Sequence, residues 1–325
     1  MTAPIQLTLA HSPDPDDAFM WWPITGKILP GGDHLPGDPG RPAIDSGRFQ
    51  FTPVPADIEA LNRLAVARRG TDEYDITALS VRTYADVKDR YAITRCGASF
   101  GDGFGPKLVC KNQSAIASID QLKPQTVRIA VPGTKTTAFL MLGMILGRDA
   151  VLENTQPSPR FIEMPFDQII GAVARGEVDA GLVIHEGQLT FGDAGLRLIL
   201  DVGRWWKEKT GLKLPLGINA IRRDLDQRVG PGAVQEIAAL LKRSVAHAMD
   251  RRRESVEYTM AFAQANVARG GGLPPTFERV DEYCRMYVSA ETLDMAEPGR
   301  EAIRRLITEG NAAGLCPEPG RVDLV

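Results

Sequence analysis

The chain has 325 residues, 43% of them hydrophobic and 24% charged, with a formal net charge of -3. That length accommodates two ordinary domains with a sizeable core, and without a basic excess the attraction to a phosphate backbone is missing, so no nucleic-acid partner is expected. No apolar run approaches the ~20 residues of a membrane span, and four cysteines without CxxC spacing (Cys96, Cys110, Cys284, Cys316) suggest reduced, mostly buried thiols, neither a zinc site nor a disulfide framework.

The first ten residues carry no charged leader and no signal-type apolar stretch, so the expected location is the cytoplasm. Ile5 to Ala10 alternates apolar and polar as a strand does, His11 to Asp17 turns, and Ala18 to Trp22 opens an apolar helix that Asp16 or Asp17 can cap. Pro23 either interrupts that helix or falls in the first turn of its continuation. Between Gly26 and Gly47 come Pro30, Gly31, Gly32, Pro36, Gly37, Pro39, Gly40 and Pro42, which predicts an exposed excursion. Phe49 to Pro53 is a predicted strand, and Ile58, Leu61, Leu64 and Ala65 have the spacing of an amphipathic helix. Tyr74 to Leu79 then runs into Ser80, a good N-cap for a helix from Val81 to Val87. Strands at Ala92 to Arg95 and Pro106 to Cys110 flank the glycine-rich Gly101 to Gly105.

After Lys111 to Gln113 the same grammar repeats. Val127 to Val131 reads as a strand, Pro132 and Gly133 turn, and Thr134 to Thr137 leads into an apolar helix from Ala138 to Leu146. A short strand, Phe161 to Met164, precedes a helix from Phe166 to Ala174 that Gly176 closes. Val178 to Ile184 delivers His185. Leu196 to Val202 follows, and Leu212 to Ala220 is the predicted return crossing. From Arg222 onward the periodicity is helical over Val234 to Met249, Val256 to Ala268, Phe277 to Ser289 and Pro298 to Ala313, broken at Gly270 to Gly272. Alternating strands and helices argue for α/β sheets covered on both faces. The expected organisation is one lobe from residues 1–111 and 218–325, with residues 112–217 inserted as a second lobe.

Ligands of open α/β sheets bind beyond the C-terminal strand ends, where helix N-termini present free N–H groups. Four such junctions carry polar residues: Ser12 to Asp17, Thr77 to Ser80, Gly133 to Thr137, and His185 to Gln188. A cleft between them suits a small anionic organic molecule, with the turn Thr134 to Thr137 as a carboxylate cradle. Each has a structural alternative: Thr136 and Thr137 as helix caps, Ser80 as an N-cap, the aspartates as turn formers, His185 as a packed histidine. His11 lies near the same cleft, while His34, His247 and the pair Trp205 and Trp206 fit packing or surface roles. No GxxxxGK, no GxGxxG after a strand and no histidine pair at ligand spacing are present, so neither nucleotide nor metal is expected and no cofactor is implied. A single imidazole serving as general base, with hydroxyls and helix N-termini holding negative charge, is the chemistry left.

The runs Ser12 to Met20, Gly133 to Ala138, Gly181 to Glu186 and Trp205 to Gly217 together resemble the 1,4-dihydroxy-6-naphthoate synthase family of the futalosine route to menaquinone. The resemblance implies the α/β, two-lobed type II periplasmic-binding-protein-like fold, with a central cleft and two interlobe crossings. It also implies a lyase reaction on a small molecule, in which cyclic dehypoxanthine futalosine is opened, loses its sugar-derived portion and aromatises. By the same resemblance His185 is the general base. Thr137 and Ala138, with Thr136 beside them, hold the substrate, as does the segment Ala78, Leu79 and Ser80, and Asp17 is a further contact. The excursion at 26–47 and Trp21-Trp22-Pro23 depart from the family pattern and concern the cleft rim. A non-catalytic solute-binding protein and the related chorismate dehydratase are the alternatives on this fold.

Overall fold

In a computed structural model, residues 3–35, 40–270 and 273–325 are described; Pro36, Gly37 and Pro39 of the predicted excursion, and Gly271 and Gly272 of the predicted helix break, lie outside them. Two sheets organise the chain. The first has the order 49–55, 5–11, 76–80, 214–222, 91–93, with 99–101 also paired to 214–222; its first three strands are parallel and the strand Leu214–Arg222 is antiparallel to its neighbours. The second has the order 161–163, 129–131, 180–183, 107–111, 196–201, parallel over the first three and antiparallel thereafter. Helices cover both faces, giving the expected two-lobed α/β architecture.

The chain leaves the first sheet between residues 101 and 107 and returns between 201 and 214. The sequence reading ended the first lobe at residue 111, whereas Lys107–Lys111 is hydrogen-bonded on both edges inside the second sheet. Likewise Leu214–Arg222 enters the first sheet before residue 218. The C-terminal helices Ala233–Asp250, Arg252–Gly270 and Phe277–Tyr287 pack on Pro15–Thr25, and the final residues return to the first sheet, where Val325 donates to the Ile93 carbonyl.

The helix Pro15–Thr25 is continuous, with Pro23 inside it. Its cap is Asp14, not the expected Asp16 or Asp17, because Pro15 needs no N–H acceptor and fits the first helical position. Every residue of this helix is buried. Trp21 joins the core of the first lobe, while Trp22 packs in a separate cluster with Ile28, Tyr258 and Phe262. Ile28, 1% exposed, ties the start of the Pro/Gly excursion down, so that part is packed and not fully exposed. The segment Gly203 to Trp206, unassigned from sequence, belongs to the helix Val202–Thr210, capped by Asp201. No described helix is long and apolar enough to cross a membrane, and all four cysteines are buried and free.

The two crossings touch backbone to backbone. A methyl group added at Gly203 would fall inside the van der Waals radius of the Phe104 carbonyl oxygen, a backbone atom that cannot swing aside. Helix propensity alone favours alanine over glycine by about 1 kcal/mol at this helical position; the close approach outweighs it. Gly203→Ala is therefore expected to lower stability by about 1–3 kcal/mol, read as a fall in the thermal midpoint. An unchanged or raised midpoint would mean that the crossings are not pressed together.

Candidate active site

Between the lobes lies a cleft of about 670 Å³, counted out to its open mouth. All eight residues singled out from the sequence line it: Asp17, Ala78, Leu79, Ser80, Thr136, Thr137, Ala138 and His185. Asp14, Asp16, Gln188, Tyr283, Tyr287 and Asn219 line it as well, and among the described residues no lysine or arginine does. None of the described residues of the 26–47 excursion reaches the cleft, and neither do His11, His34, His247, Trp205 or Trp206. His11 is buried behind it with Nδ1 on the Ser12 carbonyl, and Trp206 is fully buried.

His185 follows the strand Ala180–Val183, its backbone in the left-handed region with φ of 54°. A non-glycine residue there costs roughly 1–2 kcal/mol. The side chain is held on several sides. Nδ1 lies 2.6 Å from Asp14 Oδ2, and the Phe166 ring meets the imidazole edge-on at 4.3 Å between centroids. The Tyr283 hydroxyl is 3.5 Å from Nδ1 and donates to Asp16 Oδ1 at 2.9 Å. Nε2 is buried and has no hydrogen-bond partner. Asp14 also caps the helix Pro15–Thr25 by accepting from Asp17 N at 3.3 Å, while Asp17 Oδ2 accepts from Ser12 N at 2.7 Å.

Burial pulls the His185 imidazole down, but the Asp14 carboxylate outweighs it, and with help from Glu186 and Asp16 lifts the ring from 6.5 to about 10. On Asp14, burial works upward and is overcome by the imidazolium charge and its hydrogen bond, so its carboxyl is held below the usual range. Asp16 is pushed far up by burial and then by the Asp14 charge; Asp17 follows, with Asp14 and Asp16 both adding. The cluster is thus built around one ion pair, Asp14 with His185, flanked by two carboxyl groups that burial and their like-charged neighbours push towards the protonated form. Asp14, Asp16 and His185 are also the one group among the described residues whose ligand atoms lie close enough for a metal, within 4.8 Å of one another. A nitrogen and an oxygen 2.6 Å apart are at the distance of a charge-assisted hydrogen bond, so an ion would have to displace the proton they share.

The opposite wall is built from helix starts. Thr136 caps the helix Thr137–Leu146, accepting from Phe139 N and donating to the Gly133 carbonyl at 2.8 Å, so its hydroxyl is structural. The Thr137 hydroxyl donates to the Leu216 carbonyl at 2.7 Å and accepts from Arg82 N at 3.3 Å. What remains for a ligand are the N–H groups of Thr137 and Ala138, which have no acceptor among the described residues. Ser80 ends the strand Ile76–Ser80 and precedes the helix Val81–Val87 without a side-chain cap bond. The fully buried Asn62 pins it, donating to Ser80 Oγ at 3.0 Å and accepting from Ser80 N at 2.9 Å.

The cleft is bridged along both flanks. On one, Glu59 accepts from Lys135 N at 3.0 Å, and burial, only partly offset by Arg63, lifts its carboxyl to about 7. On the other, beside the Asp14–His185 pair, Tyr287 donates to Gln188 at 2.9 Å, and Arg269 and Arg279 reach Asp167 and Asp193 at 2.8 and 2.7 Å.

Comparison with known proteins bears on the fold and the family. Two curated 1,4-dihydroxy-6-naphthoate synthases, from Thermus thermophilus and Streptomyces coelicolor, are each 34% identical over 315 residues, covering 96% and 97% of this chain and 97% and 96% of their own lengths. A crystal structure of a protein from Archaeoglobus fulgidus matches with a TM-score of 0.73 at 36% identity, over 95% of this chain and 98% of that one. The alkanesulfonate-binding protein SsuA from Xanthomonas axonopodis shares the fold, with a TM-score of 0.59 at 15% identity over 98% and 96% of the two chains. The family model for menaquinone biosynthesis spans residues 7–312, and the chain belongs to that family.

Proposed function

We propose that the chain is a 1,4-dihydroxy-6-naphthoate synthase, a lyase that converts cyclic dehypoxanthine futalosine to the naphthoate with loss of the sugar-derived fragment. The observation that carries this reading is His185, which lines the cleft with Nδ1 fixed on a buried carboxylate and Nε2 left without a partner. In its neutral form Nε2 takes a carbon-bound proton, the ring opens, and the Asp14 carboxylate stabilises the imidazolium that results. The proton on that imidazolium is then available to the leaving fragment. The free N–H groups of Thr137 and Ala138 hold the substrate carboxylate at the helix start, with Ala78, Leu79 and the pinned Ser80 alongside. Asp17, which lines the cleft beside them, is a further contact. Bridging of the two lobes keeps water from the opened intermediate.

Incubating the purified protein with cyclic dehypoxanthine futalosine and resolving the mixture by chromatography tests this directly. The expected result is a new peak of 1,4-dihydroxy-6-naphthoate. Tight binding of the substrate without product would overturn the reading in favour of a solute-binding protein.

A further inference from the structure

Asp14 and His185 come from different lobes, yet they are in hydrogen-bond contact, so something must hold the two strand ends in register. Asn266, on the helix Arg252–Gly270 and 2% exposed, is placed to do so. Its Nδ2 lies 2.7 Å from Glu186 Oε1 and 3.3 Å from the Pro13 carbonyl oxygen. Pro13 immediately precedes Asp14, and Glu186 immediately follows His185. A single side-chain amide therefore ties the chain neighbours of both partners of the pair. Its orientation is fixed by chemistry, because the nitrogen meets two acceptors while Oδ1 accepts from Arg269 Nη2 at 2.5 Å. Arg269 in turn pairs with Asp167, the residue after the Phe166 that packs on the imidazole.

Glu186 otherwise lacks an explanation. It lines a second cavity behind the cleft, together with Ala263 and Val267 of the same helix as Asn266, and its Oε2 is buried with no partner. The bond from Asn266 to Oε1 is thus the hydrogen bond that fixes this carboxylate. Strand pairing ends at Val183, two residues before His185, so no strand partner sets the position of the loop. We infer that Asn266 is a positioning residue which, through Pro13 and Glu186, holds Asp14 and His185 in register across the cleft.

This rests on the reading of His185 as the base and extends it to a residue that does not line the cleft. The groups whose charge reaches His185 are Asp14, Asp16 and Asp17 at the first helix, Asp57, and Glu186 in its own loop, while Tyr283 from the helix Phe277–Tyr287 faces it with an uncharged hydroxyl. Of these the closest contact is Asp14, and Asn266 secures it through Pro13 while holding Glu186 directly.

The test uses Asn266→Ala, Asn266→Asp and the double variant Asn266→Asp with Glu186→Gln, all in the full chain. A misplacement of about 1 Å costs on the order of 10²-fold, so Asn266→Ala is expected to lower kcat by roughly 10- to 100-fold with KM within about threefold. Its pH–rate limb and the imidazole titration of His185, followed by NMR, move together to lower pH, because burial dominates once Asp14 slips away. Asn266→Asp sets two carboxylates against each other and is worse. The added Glu186→Gln lets the amide at 186 donate to the new carboxylate at unchanged total charge and recovers part of the kcat, the bond to the Pro13 carbonyl staying lost. Wild-type kcat and an unmoved His185 titration in Asn266→Ala would overturn the proposal, as would a double variant no better than Asn266→Asp. Should Asn266→Ala fail to fold, the comparison of Asn266→Asp with the double variant decides. If wild-type protein makes no naphthoate, the functional reading fails, while the NMR titration still decides whether Asn266 secures the pair.

Discussion

Replacing His185 with Asn is expected to cut naphthoate formation by roughly 10²–10⁴-fold, the size of a general-base contribution, with substrate still bound. Asn is the informative choice because its amide can still donate to Asp14 where Nδ1 does, at 2.6 Å. The bridge between lobes then survives while the nitrogen that accepts the proton is gone. The N–H groups of Thr137 and Ala138 are on the opposite wall and remain available. Turnover measured by chromatography, beside the dissociation constant from calorimetry, separates the two effects. A variant that turns over at near wild-type rate would remove His185 from the role of base.

The second large effect concerns pH. With the imidazole lifted to about 10, the neutral form that can accept a proton is a minority at neutral pH. The wild-type rate should therefore rise about tenfold per pH unit through the neutral range and level off towards 10. Asp14→Asn removes the largest charge that opposes burial, leaving Glu186 and Asp16, so the imidazole falls from its raised value. The limb should move to lower pH, and the plateau should drop by roughly 10²–10⁴-fold, since the carboxylate that stabilises the imidazolium and fixes the tautomer is gone. An unshifted limb in Asp14→Asn would mean that another group titrates.

Stability follows the same pair with the sign set by each partner. His185, raised on folding, contributes stability fully present below about 6.5 and lost as pH rises through about 10. Asp14, depressed on folding, contributes stability present above its ordinary 3.8 and lost as pH falls through its lower folded value. The variant's loss in thermal midpoint should therefore be largest between these limits.

The strand-to-helix junctions were legible in the sequence because each rule involved is local. An apolar run ends, a residue of capping type follows, and a helix begins, as at Thr136, which does cap, and at Ser80, which holds the position without the cap bond. Four such junctions outlined the cleft walls, while the choice of the eight residues among them, Ala138 just past one junction included, came from the family resemblance; all eight line the cleft. Asp14 was readable in retrospect, since the proline after it is the signature of the first helical position. Tyr283, Tyr287 and Asn266 were not. They lie on helices from the last quarter of the chain, whose amphipathic spacing shows that a face is buried but not against what. Crossing points escaped for a related reason: Lys107–Lys111 reads as a strand in either lobe, and only its hydrogen-bonded neighbours assign it to the second sheet.

The absence of lysine and arginine from the cleft lining bears on how a ligand arrives. Backbone N–H groups at a helix start act over a few ångströms, whereas a net charge draws an anion in from a Debye length away. A carboxylate caught only by such dipoles meets this site by unguided diffusion. Its association rate should then be ordinary for a small molecule and nearly indifferent to ionic strength, so that discrimination among anions is exercised after entry, by fit and closure, and not by attraction at a distance.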